Sequence, residues 1–138
     1  MNDIYKNEIL NDIKDIEDIY IAGHVNPDGD AVASVFSLAI YFETLGKRPH
    51  VLLECVPKRF DFMYGGEFFI SLDEINVKTA PDVFSAVDCG DRQRLGKAAE
   101  VFDNAKLTYC IDHHRTNVGF ADKNIIRMNN YEVQAILD

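Results

Sequence analysis

Features of secreted, membrane-spanning and disulfide-stabilised proteins are scarce in this sequence. No apolar run approaches the roughly 18 residues that a membrane-spanning helix requires. The first residues lack the basic start and apolar core of a secretory signal. The cysteines are odd in number and each lies in or beside an apolar run: Cys55, Cys89 and Cys110. We therefore expect a cytoplasmic protein with reduced, packed thiols and no membrane partner.

Basic residues are also in the minority. Lys and Arg number 14 against 23 Asp and Glu, which leaves a formal net charge of −9. Binding to duplex nucleic acid needs a basic face, so this balance argues against a duplex partner. A small nucleotide or a short oligonucleotide that is held mainly at a metal site remains compatible with it.

Motifs of several common α/β enzymes are missing. No Gly-x-Gly-x-x-Gly follows the first predicted strand, and no Gly-Lys-Ser/Thr phosphate loop occurs. A Gly-x-Ser-x-Gly nucleophile elbow is absent as well. Dinucleotide-dependent dehydrogenases, P-loop enzymes and α/β-hydrolases are therefore disfavoured.

The remaining pattern is that of one α/β domain. The chain has 138 residues and 47% hydrophobic content, enough for a packed core. Apolar runs predict strands over 19–23, 50–53, 83–87 and 107–111, and helical spacing predicts helices over 2–17, 30–45 and 96–104. Strands that alternate with helices at short intervals indicate a mainly parallel sheet with helices on both faces.

The first predicted strand leads into His24-Val25-Asn26-Pro27-Asp28-Gly29-Asp30-Ala31. Gly29 permits a left-handed or otherwise crowded backbone, and a bend there can bring Asp28 and Asp30 toward one point. Like charges that close repel unless a cation lies between them. A plainer interpretation is that one of the two aspartates caps the helix that follows and that the turn has no further role.

Three of the four predicted strands end in side chains that can bind a metal: His24, Asp28 and Asp30; Asp88 and Asp91; and Asp112, His113 and His114. In open α/β sheets, ligands bind beyond the carboxyl ends of the strands, where these clusters meet. Mixed imidazole and carboxylate ligands suit Mn²⁺, with Mg²⁺, Co²⁺ or Fe²⁺ as substitutes. The lack of cysteines among them argues against a thiolate zinc site.

The order and spacing of these three motifs resemble the DHH phosphoesterase superfamily. The Asp91-Arg92-x-Arg94-Leu95-Gly96 stretch and Asn117 resemble the branch of bacterial nanoRNases, 3′-phosphoadenosine 5′-phosphate phosphatases and cyclic-dinucleotide phosphodiesterases. The resemblance implies a Rossmann-like DHH domain over residues 1–138. It also implies Mn²⁺-dependent hydrolysis of phosphate esters in short oligonucleotides or in 3′-phosphoadenosine 5′-phosphate.

The resemblance also implies roles for individual residues. One metal would be bound by His24 and Asp28, a second by Asp30 and His113, and Asp88 would bridge the two. His114 would face the substrate phosphate, and Asp112 would orient its neighbours as a hydrogen-bond acceptor. Substrate contacts are expected from Asn26, Arg94 and Arg115.

The sequence departs from the family after His114, where only 24 residues follow (138 − 114). The further metal-binding carboxylate and the second, substrate-binding domain of the family have no counterpart here, and the acids of this tail are Asp122, Glu132 and Asp138. We therefore expect a truncated catalytic domain that self-associates through its uncovered apolar surface. The alternatives are a catalytically incomplete metal- or nucleotide-binding fragment, a cyclic-dinucleotide phosphodiesterase, and an inorganic pyrophosphatase. The last family usually has Thr at the position of Gly29.

Overall fold

The computed structural model describes residues 2–55, 69–112, 114, 117 and 119–126. The helices are α1 (Asn2–Ile13), α2 (Gly29–Thr44) and α3 (Ala98–Asn104), and a 3₁₀-helix spans Arg92–Leu95. The strands are β1 (Asp18–Ala22), β2 (Arg48–Leu53), β3 (Phe69–Ser71), β4 (Val83–Val87), β5 (Leu107–Asp112) and β6 (Lys123–Ile126). Among these helices, none is long and apolar enough to cross a bilayer.

The six strands form one sheet in the order β3-β2-β1-β4-β5-β6, and every neighbouring pair is parallel. The predicted α/β fold with a parallel sheet is therefore confirmed. The strand order reverses between β1 and β4, which is where open sheets of this kind form a ligand-binding crevice. The two edge strands, β3 and β6, were not predicted from the sequence.

Helices cover both faces of the sheet, as predicted. Side chains of successive strand residues point to opposite faces, so β1 presents Ile19 and Ile21 to one face and Ala22 to the other. The first face packs against α1 and α2, and the second packs against α3. Helix α2 is buried on one face along most of its length because it packs against β2, β1 and β4.

Helix α2 has a defined cap at each end. The Asp28 carboxylate accepts a hydrogen bond from the Ala31 N–H at its start. At its end Gly46 adopts a φ of 81°, and the Lys47 N–H returns to the Phe42 carbonyl. Gly46 was predicted to stop this helix, and the structure confirms it. The first cap fixes Asp28 at the carboxyl edge of the sheet.

Candidate metal centre

A group of three side chains gathers where β1 and β4 end. The Nε2 atom of His24 lies 3.9 Å from Oδ1 of Asp28 and 4.0 Å from Oδ2 of Asp88. Each residue offers one ligand atom, and all three atoms lie within 4.8 Å of one another. Around an octahedral ion with bonds of about 2.1 Å, ligand atoms lie about 3–4.2 Å apart. Both distances from Nε2 exceed the roughly 3 Å between adjacent ligands, so the side chains would draw together slightly around an ion. The imidazole and carboxylate donors are of the types that suit a divalent cation.

Local hydrogen bonding sets which nitrogen of His24 faces this group. Its Nδ1 atom lies 2.6 Å from the carbonyl oxygen of Val25. A carbonyl only accepts hydrogen bonds, so Nδ1 carries the proton and donates it. The lone pair is then on Nε2, which faces the two carboxylates. A buried imidazole held in this tautomer has the form in which histidine binds a metal.

Asp28 both caps α2 and belongs to this group. Its Oδ1 atom accepts from the Ala31 N–H at 2.9 Å and is the oxygen nearest to His24. A carboxylate oxygen has two lone pairs, so one hydrogen bond leaves capacity for a second partner. The cap interpretation and the metal interpretation are therefore compatible. With 65% of its side chain exposed, Asp28 lies at the open side of the group.

The backbone bends sharply at two positions near the group. Asp88 has a φ of 54° directly after β4, and its N–H donates to the Ile111 carbonyl at 2.9 Å. Asn26 has a φ of 51°, and its N–H donates to the Glu54 carboxylate at 3.3 Å. The left-handed bend expected at Gly29 thus falls on Asn26, and Gly29 begins α2. Asn and Asp tolerate this conformation better than most residues.

A second group shares Asp88 and lies where β4 and β5 end. It consists of Asp88, Asp112 and His114, again with one ligand atom from each within 4.8 Å of the others. Asp112 is buried, and its Oδ1 atom lies 2.5 Å from Nδ1 of His114. Its Oδ2 atom accepts from the side-chain amide of Asn117 at 2.9 Å. Both oxygens of Asp112 are thus engaged in positioning hydrogen bonds, as expected for an orienting acceptor.

The structure does not bring every predicted ligand together. Asp30 is exposed in the first turn of α2 and belongs to neither group of the described residues. His113 and Arg115 lie outside the described residues. The expected second metal ligands Asp30 and His113 therefore remain a prediction. Asp122, one of the acids after His114, accepts from the Thr108 N–H near the start of β5, at the opposite end of the sheet.

Arg94 is tied to the site through its backbone. Its carbonyl accepts a hydrogen bond from the Val25 N–H at 2.7 Å, which joins the loop after β4 to the residue that follows His24. The Arg94 side chain is exposed. Arg92, two residues earlier, is paired with Asp103 on α3 and so is engaged on the helix. The structure thus favours Arg94 over Arg92 as a group that can meet an anion at this edge.

Two buried thiols, those of Cys89 and Cys110, lie close to the second group. Burial raises the pKa of the Cys89 thiol to about 12 and that of the Cys110 thiol to about 11. Metal binding by cysteine requires the thiolate. Burial thus disfavours the thiolate form, and neither thiol belongs to the two groups of potential ligands among the described residues.

Sequence reasoning missed three contacts that shape the site. They are three hydrogen bonds: from the Asn117 amide to Asp112, from the Asn26 N–H to the Glu54 carboxylate, and from the Val25 N–H to the Arg94 carbonyl. The second and third join segments that are distant in sequence, and the first joins two side chains five residues apart. The family resemblance was the one available signal, and it marked Asn117 without its partners.

Comparisons with known proteins point to one family. Residues 18–136 match the family described as DHH family, N-terminal domain. A probable manganese-dependent inorganic pyrophosphatase from Staphylococcus haemolyticus (strain JCSC1435) is 32% identical over 102 residues, which cover 70% of this chain and 31% of that protein. A protein of the same description from Lactobacillus helveticus (strain DPC 4571) is 26% identical over 100 residues, which cover 72% and 32%. The chain thus spans about a third of the length of these relatives.

The fold is also found in a solved structure. An exopolyphosphatase-related protein from Bacteroides fragilis superimposes with a TM-score of 0.81 at 22% sequence identity. The match covers 90% of this chain and 38% of that protein. At this identity the similarity shows that the two proteins share the fold.

Proposed function

The chain belongs to the DHH family as its N-terminal domain, and on this basis we propose that it is the metal-binding catalytic domain of a divalent-metal-dependent phosphoesterase. The observation that carries the proposal is the position of Asp88. It is common to both groups of metal-binding side chains, and it lies at the reversal of strand order, where such sheets bind ligands.

Manganese is the cation that we propose for this site. His24, Asp28 and Asp88 would hold the first ion, because their donor types suit a divalent cation and their ligand atoms lie within 4.8 Å of one another. Asp88 would also face a second ion, with Asp30 and His113 as its further ligands. Such ions, when bound, supply an activated water and neutralise charge on the phosphoryl oxygens. Mg²⁺ or Co²⁺ are the possible substitutes.

The protein side chains contribute orientation and charge. His24 presents its Nε2 lone pair because its Nδ1–H is held by the Val25 carbonyl. Asp112 holds Nδ1 of His114, which leaves the Nε2 edge of this half-exposed imidazole for the substrate phosphate. Both arrangements exist before substrate arrives, so less ordering is needed at the moment of reaction. We propose Asp112 and His114 as catalytic residues on these grounds.

The proposed substrates are short oligonucleotides or 3′-phosphoadenosine 5′-phosphate. Arg94 supports this choice. Its carbonyl accepts a hydrogen bond from the Val25 N–H, which places Arg94 beside His24, and its side chain is exposed. A guanidinium can form two parallel hydrogen bonds to a phosphate group. Asn26 and Arg115 are the further proposed contacts. The net charge of −9 is consistent with a small ligand bound at metal ions rather than a duplex bound along a basic face.

Inorganic pyrophosphate is a second candidate substrate. Both matched relatives are described as probable manganese-dependent inorganic pyrophosphatases, and one is 32% identical to this chain. Gly29 argues for the nucleotide substrate, because the pyrophosphatases usually have Thr at that position. Pyrophosphate needs the same metal ligands, so only turnover separates the two candidates.

A panel of three substrates tests the proposal. The longest natural form of the protein that contains this chain is supplied with Mn²⁺ and assayed with a 5′-phosphorylated dinucleotide, 3′-phosphoadenosine 5′-phosphate and pyrophosphate. We expect the highest kcat/KM for one of the two nucleotides. A preference for pyrophosphate would select the second candidate. Turnover of none of the three, with Mn²⁺ bound, would contradict the proposed function.

A further inference from the structure

The amide of Asn117 joins the ends of two neighbouring strands. Its Nδ2 atom donates to Oδ2 of Asp112 at 2.9 Å and to the Cys89 carbonyl at 3.2 Å. Cys89 directly follows Asp88, so one side chain bonds both to the third motif and to the backbone beside the second. Its Oδ1 atom accepts from the Gly119 N–H at 2.8 Å.

The chemistry of these partners requires an amide at this position. Asp112 and the Cys89 carbonyl both accept hydrogen bonds, and the Gly119 N–H donates one. An amide supplies two donors on one side and an acceptor on the other, which satisfies all three. A carboxylate of the same shape would lack the donors and would place negative charge against Asp112. The orientation of the amide follows from the same partners.

Burial makes these contacts effective. Asn117 is 3% exposed, and the Asp112 side chain is fully buried. Hydrogen bonds in such surroundings are stronger than in water and hold their geometry more tightly. The other oxygen of Asp112 is held against Nδ1 of His114 at 2.5 Å. The orientation of the His114 imidazole therefore depends on where Asn117 holds Asp112.

We infer that Asn117 is a positioning residue, which fixes Asp112 and through it the His114 imidazole relative to Asp88. The inference rests on the proposed phosphoester hydrolysis for its effect on rate. Its effect on His114 itself does not need turnover. Partners that lie behind metal ligands and substrate-facing groups typically change metal affinity or activity by about 10–100-fold when they are removed.

The test compares Asn117→Ser with Asn124→Ser in the longest natural form of the protein. Serine is too short to reach Asp112, so the first variant loses the contact. Asn124 is a matched control, because its amide bonds both ways to Ala121 in the same loop region and lies against Gly119. The readouts are the Nδ1–H resonance of ¹⁵N-labelled His114 in the metal-free protein, kcat and KM, and the Tm.

We expect Asn117→Ser to shift or abolish the His114 Nδ1–H resonance. We also expect it to lower kcat by about 10–100-fold, with KM changed less than about threefold. Asn124→Ser should leave the resonance and kcat unchanged even if its Tm falls equally. An unchanged resonance and kcat in Asn117→Ser would overturn the inference. If the unaltered protein hydrolyses no phosphate ester, the proposed function fails, and the resonance still decides the positioning role.

A second variant covers the case in which Asn117→Ser does not fold. Asn117→Asp keeps the shape and the bond to Gly119, but it removes the donors and places negative charge against Asp112. It is expected to change the resonance and kcat in the same direction. Failure of both variants to fold, with Asn124→Ser folded, would assign Asn117 a purely structural role and overturn the inference.

Discussion

The Nε2 atom of His24 lies 4.0 Å from Oδ2 of Asp88, although the two residues follow different strands. Strands β1 and β4 are parallel neighbours, so their carboxyl ends meet at one edge of the sheet. Both side chains are buried, and a third ligand atom from Asp28 completes the group. The fold itself therefore assembles this imidazole and these carboxylates, and the consequences can be measured.

Removing the charge of Asp88 should abolish most activity while preserving the fold. Asp88→Asn keeps the shape of the side chain, and Asn tolerates the φ of 54° at this position. We expect kcat/KM with Mn²⁺ to fall at least about 100-fold, because both groups lose a ligand charge. The Tm without metal should not fall. Asp82→Asn is the control, since Asp82 precedes the same strand at its other end. Equal activity in the two variants would contradict the assignment of Asp88.

Adding one methyl group at Gly96 should loosen the link between the loop after β4 and the first motif. Gly96 has a φ of 61° and a ψ of −134°, and a Cβ there would lie 2.7 Å from Cγ1 of Val25. We expect Gly96→Ala to lower the free energy of unfolding by about 2–4 kcal/mol, from backbone strain and overpacking together. Urea unfolding measures this change.

Gly46 provides the matched control for backbone strain. It also has a positive φ, of 81°, but a Cβ there would meet nothing within 4 Å. Gly46→Ala should therefore cost only about 1–2 kcal/mol. The double variant with Val25→Ala should recover part of the loss in Gly96→Ala. An equal loss of unfolding free energy in the two glycine variants would show that the contact with Val25 does not contribute to the loss in Gly96→Ala.

The hydrogen bonds that Asp12 of α1 accepts from Tyr109 of β5 and Lys123 of β6 should weaken in acid. Burial raises the pKa of the Asp12 carboxyl, but hydrogen bonds from Lys123 and Tyr109 outweigh it and leave the pKa below its ordinary value of 3.8. A carboxyl with a lowered folded-state pKa stabilises the fold above the unfolded-state pKa. That stability is lost as the pH falls through the folded-state value.

Asp12→Asn should therefore reduce stability near neutral pH by about 1 kcal/mol, and by less below pH 3.8. Urea unfolding of both proteins across this range measures the difference. Asp15→Asn, which changes an exposed carboxylate just after α1, is the control. A difference that stays constant with pH would show that the Asp12 contacts do not depend on its charge.

Much of this architecture could be predicted from local sequence, for a physical reason. The central strands are continuous apolar runs because both faces of a parallel sheet are covered. Polar residues that follow such runs lie at one edge, which is how His24, Asp28 and Asp88 could be placed near each other. The edge strands β3 and β6 are only three and four residues long, so they offer too few residues for that pattern. Strand β3 is only partly buried along its length.

The finer geometry of the site depended on contacts that no local pattern encodes. The left-handed bend lies at Asn26 rather than at Gly29. Two hydrogen bonds hold the loop at this bend, from the Asn26 N–H to the Glu54 carboxylate and from the Val25 N–H to the Arg94 carbonyl. The second group contains Asp112 and His114, and the Asn117 amide bonds both to Asp112 and to the Cys89 carbonyl just after β4. Such contacts arise only once the sheet has brought distant loops together.

Direct measurement of Mn²⁺ binding tests the central claim that His24, Asp28 and Asp88 form a metal site. Electron paramagnetic resonance of free Mn²⁺ is followed while the metal-free chain is titrated, and circular dichroism confirms that each variant is folded. We predict one tightly bound ion per chain. We also predict that His24→Gln weakens it at least about tenfold and that Asp30→Asn leaves it in place. The absence of tight binding, or equal affinity in the unaltered chain and in His24→Gln, would contradict the account.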